Sequence, residues 1–547
     1  MFNNAGLFGI NAISFVGFTG AVVAVSWWKT RRDRMDTSDA YFLAGRSLTA
    51  WVIAGSLLLT NLSTEHLIGL NGDAFNHTIA VTAWETTAAI AVVLMALFFL
   101  PRYLKSGFTT IPQYLAARYD NHTRVIAAAL FLVSYVLAIL PVVLLFGATG
   151  MESLFNISKT FGITEKQAIW LVVWGVGTLG SLYAIFGGLK AIAISDTVNG
   201  VGFLIAGLMI PVLALKMVGD GSVFEGAREV YTQESHKFDV TGNEPGSFLP
   251  FGVLFTGMIV NQVFFWCTNQ SIIQRTLGAK SLAEGQKGVL LCAVFKMLGP
   301  LIIVFPGVIA YHMFKDQLGP DQYLMAYPTL VKTVLPPVLV GFFAAVMVGA
   351  VLSTFNSVLN SSATLFSESI YQVIFNKHAT GRQVVLSGRL CSVVLAISSM
   401  FMAPLIDTSG SLYNYLQKIN ATFFGPMLAV ILLGLLTRRV SALAAKVGLI
   451  LGPILFYLLV FMFGDSIQTA IKGTFGLEHD IHFLHFLAFV FVLTTLLMLA
   501  ISKFKPAEKV YVQPYTRDVD ITPWKHAKLA GGAITAAVIL FYVMLAQ

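Results

Sequence analysis

Long apolar runs separated by short polar stretches recur along the whole chain, and their length sets the first expectation. A helix needs about 20 apolar residues to cross the hydrocarbon of a bilayer. On that measure the pattern predicts fourteen membrane-spanning helices, the first over 7–28 and the last over 527–546. Two of these runs are interrupted by polar residues at mid-membrane depth. The second span, 50–74, contains Leu59-Thr60-Asn61-Leu62-Ser63-Thr64-Glu65-His66, and the seventh, 250–276, contains Gln262, Trp266, Thr268, Asn269, Gln270 and Ser271. Backbone amides in hydrocarbon must be satisfied within the protein, so such clusters predict helices that break inside the molecule and face a cavity. The two interrupted spans are five apart, an odd separation that gives them opposite orientations, as inverted repeats require. The expected fold is therefore an all-α polytopic membrane protein: 14 transmembrane helices with a five-plus-five inverted-repeat core and discontinuous helices. Residues 1–547 are expected to form a single transmembrane domain with a peripheral helix at 7–28, a first repeat over 50–217, a second, inverted repeat over 250–436 and three peripheral helices over 440–546.

Composition narrows the class. Charged residues make up 11% of the chain and hydrophobic ones 56%, and the mean hydropathy is +0.77, which together exclude an ordinary soluble protein. The net charge of +8 does not imply a nucleic-acid partner, because the basic residues fall in short clusters between apolar runs. With the N-terminus outside, most Lys and Arg lie in inside loops, and both termini come out on the outer face. The first span is followed, not preceded, by Lys29, Arg31 and Arg32, so it is expected to be retained rather than cleaved as a signal peptide. A multi-pass membrane protein with both termini outside follows, and the expected location is the cell inner (plasma) membrane with periplasmic termini; the lipid bilayer is its partner and no obligatory protein partner is implied. Cys267, Cys292 and Cys391 are irregularly spaced within apolar segments and read as buried thiols, not a disulfide framework or a zinc site.

The residues inside the spans carry the chemistry. Ser353 and Thr354 are adjacent hydroxyls in the ninth span, among the small residues Gly349, Ser357 and Ser361. They serve either helix packing or a cation site, since a hard monovalent ion needs several oxygen ligands. The free carbonyls of a helix break, here Leu59 and Leu62, would complete such a site. Glu85, Lys296, His66, Gln262 and Gln417 offer donors and acceptors suited to hydroxyl groups. Phe264, Phe265 and Trp266 either cover an apolar solute face, close the cavity or pack in the core. There is no phosphate-binding Gly-rich loop, no paired metal-ligand histidine motif and no G-x-S-x-G, so the reading is not an enzyme and not an ATP-driven pump.

Several stretches together resemble the sodium/solute symporter family, in particular its sodium/glucose cotransporter branch. They are Tyr41-Phe42-Leu43-Ala44-Gly45-Arg46, Thr60 through Gly69, Gly107-Phe108-Thr109-Thr110-Ile111-Pro112, Phe265-Trp266-Cys267-Thr268-Asn269-Gln270 with Gln274-Arg275-Thr276-Leu277, and Leu359-Asn360-Ser361-Ser362-Ala363-Thr364. The resemblance implies sodium-coupled sugar uptake by alternating access, with Na⁺ as the coupling ion. It assigns sodium to the carbonyls of Leu59, Leu62 and Ala350 and the hydroxyls of Ser353 and Thr354, and the sugar to Asn61, His66, Glu85, Gln262, Lys296 and Gln417. Phe265 and Trp266 fall at the gate, and Asp196 falls at a further sodium site or an exit stop. The chain departs from the family where an inner-gate tyrosine and its amide partner are replaced by Phe265 and Ile139, and where Ala88 removes a hydroxyl. The alternatives are a carboxylated solute such as sialic acid or an amino acid, and a non-transporting sensor or channel on the same scaffold.

Overall fold

The computed structural model describes residues 5–33, 36–242, 247–406, 411–508 and 510–545, with side chains from residue 9 onward. The described residues are helical and contain no β-strand, only isolated bridges at Leu48–Ala279 and Ser281–Asp520. Among the described residues eleven helices are long and apolar enough to cross a membrane, and Ala50–Asn61 and Gly257–Cys267 are shorter apolar helices. The chain is thus a multi-pass membrane protein. Its outer helices carry the lipid-facing surface: Ile13, Val16, Leu529 and Val543 are all exposed.

The two short helices are the predicted breaks. Ala50–Asn61 stops where Leu62 turns extended, at φ −78° and ψ 100°. The Ser63 carbonyl then accepts from the amides of His66 and Leu67, each at 3.1 Å, and starts a second helical segment. That segment begins as a wide turn over Glu65–Leu70 and continues as Asn71–Asn76. The second break has the same logic. Gly257–Cys267 ends at Thr268, Asn269 is extended, and the Asn269 side chain accepts from the Ser271 amide at 3.0 Å to open Gln270–Leu277. An Asn placed this way satisfies one of the amides that every helix start leaves free.

Glu165–Val218 runs for 54 residues, roughly 80 Å at 1.5 Å per residue and more than twice the hydrocarbon thickness. Gly188, with φ 61° and ψ −179°, interrupts it in a conformation that a side chain would disfavour. This long element packs against Val340–Phe366 and Ala50–Asn61, while Leu282–Ile303 packs against Ala50–Asn61 and Ala83–Leu94. The first broken helix is therefore enclosed on several sides. On the face where the sequence places the inner loops, residues 510–524 run along the bundle as a largely non-helical strap. Its Gln513 side chain donates to the Arg102 carbonyl and the Ser106 hydroxyl, both at 2.7 Å, and its Asp520 carbonyl accepts from Leu282 at 2.8 Å.

Candidate functional site

Beside the first break lies a cavity of about 60 Å³ lined by Asn61, His66, Glu85, Gln262, Phe265, Trp266, Lys296 and Gln417, with Thr354 at its edge. Residues drawn from more than 350 positions of sequence thus meet at one place. Each is supplied by a different local device: Asn61 and His66 flank the break, Glu85 opens Ala83–Leu94, and Lys296 sits in Leu282–Ile303.

Lys296 is wholly buried, and its ammonium is the centre of the cavity wall. It donates to Asn61 Oδ1 at 2.5 Å, forms a short ion pair with Glu85 Oε2, and lies 5.4 Å from the Trp266 ring centroid. A buried ammonium or carboxylate alone costs several kcal/mol, so the pairing makes both residues tolerable in the membrane core. His66 Nε2 stands 3.9 Å from the other Glu85 oxygen, and His66 Nδ1 is 3.6 Å from Glu65. Gln262 donates to the Trp84 carbonyl at 2.8 Å and Gln417 to the Tyr413 hydroxyl at 2.9 Å. The His66 and Trp84 rings both meet Tyr413 edge-on, at 5.5 and 5.8 Å.

Four polar atoms of the cavity wall have no hydrogen-bond partner among the described residues: Trp84 Nε1, His66 Nδ1, Asn261 Oδ1 and Asn420 Oδ1. Buried polar groups are rarely left so. Together they are donor and acceptor positions ready for a ligand, and Trp84, Asn261, Asn420 and Tyr413 were missed in the sequence. The signal for two of them was there: Tyr413, Gln417 and Asn420 recur at four- and three-residue spacing and so share one helix face.

The expected gate residues Phe265 and Trp266 differ in their surroundings. Phe265 is half-buried and lines the cavity together with Ile139, so an apolar pair stands where the family's tyrosine and amide were expected. Trp266 is buried against Lys296 and meets Phe265 edge-on at 5.5 Å. Phe264 faces away, stacked on Phe424 at 4.3 Å and on Phe131 at 5.9 Å, and holds the broken helix in the core.

The expected sodium ligands gather on the other side of the break. The Thr354 hydroxyl donates to the Thr60 carbonyl at 3.0 Å and approaches the Leu59 carbonyl at 3.4 Å. Leu59 lies in the last turn of Ala50–Asn61, whose carbonyls lack helical partners, and Leu62 is the extended residue that caps it. Ala350 differs, because it lies within the unbroken helix Val340–Phe366 and its carbonyl has only a second lone pair to offer. The Ser353 hydroxyl has no partner among the described residues. Asp196 is not in the solute cavity: it is fully buried, accepts from Ser56 at 2.7 Å, and leaves its Oδ1 unpartnered. The chemistry of this donor set, neutral oxygens with one carboxylate nearby, suits a monovalent cation.

Broken apolar helices around a buried, charge-compensated cavity, with a cluster of neutral oxygens at one break, define an ion-coupled membrane transporter. Residues 41–452 match the family model described as "Sodium:solute symporter family". The chain belongs to that family and is a sodium-coupled solute symporter. It is 44% identical to an uncharacterized symporter, YidK, of Escherichia coli K12, across 98% of this chain and 91% of that protein. It is 30% identical to sodium/glucose cotransporter 1 of Ovis aries, across 90% and 78% of the two chains, and 29% identical to the sodium/glucose cotransporter of Vibrio parahaemolyticus, across 81% and 84%. Among solved structures, a Na⁺-coupled sialic acid symporter in a substrate-bound outward-open state matches with a TM-score of 0.74 at 18% identity, covering 92% of this chain and 99% of that one. At that identity the likeness speaks for the fold alone.

Proposed function

We propose that this symporter imports a neutral monosaccharide or a similar polyhydroxy solute, driven by sodium, by alternating access. The observation that carries the reading is the direct pairing of Lys296 with Glu85 inside the cavity. A solute carboxylate would meet an ammonium already neutralised and a second carboxylate beside it. A hydroxyl can donate to Glu85, accept from Lys296 or Trp84, and bridge to the amides of Asn61, Gln262, Asn261 and Asn420 at little electrostatic cost. The sodium/glucose cotransporters among the relatives support the same class. At about 60 Å³ the cavity is small beside the 300–1,000 Å³ typical of ligand pockets, so solute entry widens it.

In this proposal the solute is held by Asn61, His66, Glu85, Gln262, Lys296 and Gln417, with Phe265 and Trp266 as gate. Sodium is held by the carbonyls of Leu59, Leu62 and Ala350 and the hydroxyls of Ser353 and Thr354, with Asp196 as a further cation contact or exit stop. Counting Glu165–Val218 as two spans and each broken helix as one gives fourteen spans, with repeats over 50–217 and 250–436 in a bacterial inner membrane and both termini periplasmic. One ion is enough energetically. A 100 mV potential contributes about 2.3 kcal/mol and a tenfold gradient about 1.4 kcal/mol, which supports roughly 500-fold accumulation of a neutral solute.

The test is uptake into proteoliposomes with an imposed sodium gradient, using a panel of labelled sugars, cyclic polyols, sialic acid and amino acids. Sodium-dependent accumulation of a neutral sugar above its outside concentration is the expected result. Accumulation of a carboxylate and no neutral solute overturns the substrate reading. Equilibration without accumulation indicates a channel.

A further inference from the structure

One fully buried charge has no part in the site as described so far. Arg275 lies in Gln270–Leu277, the inner half of the second broken helix, with no solvent exposure. Its Nε donates to the Ser56 hydroxyl at 3.1 Å, and its two Nη groups donate, over short distances, to the Ser271 carbonyl and the Ser357 hydroxyl. Both hydroxyls lead onward. Ser56 donates to Asp196 Oδ2 at 2.7 Å. Ser357 pairs with the Thr60 hydroxyl at 3.0 Å, and the Thr60 carbonyl accepts from Thr354 at 3.0 Å. One guanidinium thus connects Asp196 on one side with the candidate sodium ligands on the other.

The charge bookkeeping gives this network a purpose. Asp196 and the Ser353 hydroxyl stand close to each other, yet Asp196 Oδ1 and Ser353 Oγ form no hydrogen bond of ordinary length among the described residues. A sodium ion at Ser353 and Thr354 would feel a full negative charge across a water-poor interior, where such an attraction is strong. Tight binding of that kind defeats a symporter, which must release its ion on every cycle. Arg275 supplies the opposing charge from a fixed position, and it reaches Asp196 through Ser56 with no direct ion pair between them among the described residues. The carboxylate is compensated, yet one of its oxygens is left facing the ion.

We propose that Arg275 is a built-in counter-cation that competes with sodium for Asp196 and thereby holds sodium affinity in a releasable range. Because Arg275 belongs to the same broken helix as Gln262, Phe265 and Trp266, movement of that helix changes the charge balance at the ion site. The inference rests on the proposed sodium position at the first break.

The experiment measures the half-saturating sodium concentration for uptake, and for sodium-induced thermal stabilisation of the purified protein, in four variants. Arg275→Gln is expected to lower that concentration by about tenfold and to slow turnover. Asp196→Asn is expected to raise it. The double variant Asp196→Asn/Arg275→Gln is expected to return to within about threefold of the parent, since neither charge remains. Arg275→Lys, which keeps the charge, is expected to stay near the parent value. A merely structural arginine predicts weaker sodium binding in Arg275→Gln and no recovery in the double variant, and that result overturns the proposal. Should Arg275→Gln alone not fold, the comparison of Asp196→Asn with the double variant decides: adding Arg275→Gln must tighten sodium binding. Ser353→Ala and Thr354→Ala separate the two levels of inference. If neither weakens sodium dependence, the sodium position itself is wrong; if they weaken it while Arg275→Gln does not tighten it, only the role of Arg275 falls.

Discussion

Replacing Lys296 by methionine tests the centre of the solute reading, because it removes the charge while keeping an unbranched side chain of similar length. Three consequences follow from the contacts. Glu85 loses its ion pair and is left with His66 at 3.9 Å, beyond ordinary hydrogen-bond reach. Asn61 Oδ1 loses its donor at 2.5 Å, and the Trp266 ring loses the ammonium 5.4 Å from its centroid. Breaking a buried pair from one side costs about 3–5 kcal/mol, because the remaining charge is uncompensated. A solute hydroxyl would lose a charged donor, worth about 1.5–3 kcal/mol, or about 10- to 150-fold in affinity. Both effects are accessible to thermal-shift measurement with and without sugar in saturating sodium, since a ligand at a hundred times its Kd stabilises by about 2.7 kcal/mol. Lys296→Met should lower the melting temperature of the unliganded protein and abolish the sugar-induced shift. Adding Glu85→Gln removes the lone charge, so the double variant should recover melting temperature without recovering the sugar response. Two outcomes refute the reasoning: unchanged sugar affinity in Lys296→Met, or a double variant less stable than Lys296→Met alone.

Other sites give independent checks. Ser353→Ala and Thr354→Ala should each raise the half-saturating sodium concentration up to about tenfold, a change of about 1.4 kcal/mol, with Thr354→Ala also freeing the Thr60 carbonyl; sodium titrations of uptake read this directly. Gly299 touches the carboxylate of Glu85, and a Cβ there would lie 2.8 Å from Oε2, so Gly299→Ala should displace Glu85 and weaken sugar binding while sodium-induced stabilisation persists. Lys237 donates to the Phe75 and His77 carbonyls at 2.8 and 2.7 Å and covers the end of the first broken helix. Burial lowers its amine from 10.5 to about 8. Between those values the folded protein therefore holds fewer protons than the unfolded chain, and the docking of this segment should strengthen as pH rises through that window. Hydrogen-exchange protection factors across residues 223–238 should show that rise in the parent and lose it in Lys237→Met.

Much of the site could be read because a membrane makes polarity conspicuous. Asn61, His66, Glu85, Gln262, Lys296 and Gln417 stand out in apolar runs, and the structure gathers all of them around one cavity. What the sequence withheld was pairing. Glu85 and Lys296 read as separate acceptor and donor, whereas they compensate each other directly. Glu65 takes the Ser63 hydroxyl as its hydrogen-bond donor and stands 3.6 Å from His66 Nδ1. Arg275 sits in a stretch used only as a family marker, and its partners Ser56 and Ser357 are 219 and 82 residues away, a distance that no local pattern spans. The strap over 510–524 was equally hidden, since non-helical backbone held by side-chain and amide contacts leaves no helical or alternating period to detect.

In the proposed assignment, ion and solute lie close enough to influence each other without a long relay. Thr354 stands at the edge of the solute cavity and at the same time grips the Thr60 carbonyl. Asn61, the next residue after Thr60, accepts from Lys296 in the cavity wall. An ion that draws on Thr354 and on the carbonyls of the last turn must therefore fix the conformation of Thr60 and Asn61. In fixing them it settles where Lys296 and Glu85 stand. Energetic coupling between two ligands is reciprocal, so a solute that orders Asn61 and Lys296 also stabilises the turn that sodium needs. In this proposal a helix broken at one point serves both ligands, the carbonyls of its last turn going to the ion and the Asn61 side chain to the solute. An unbroken helix would have spent those carbonyls on its own hydrogen bonds.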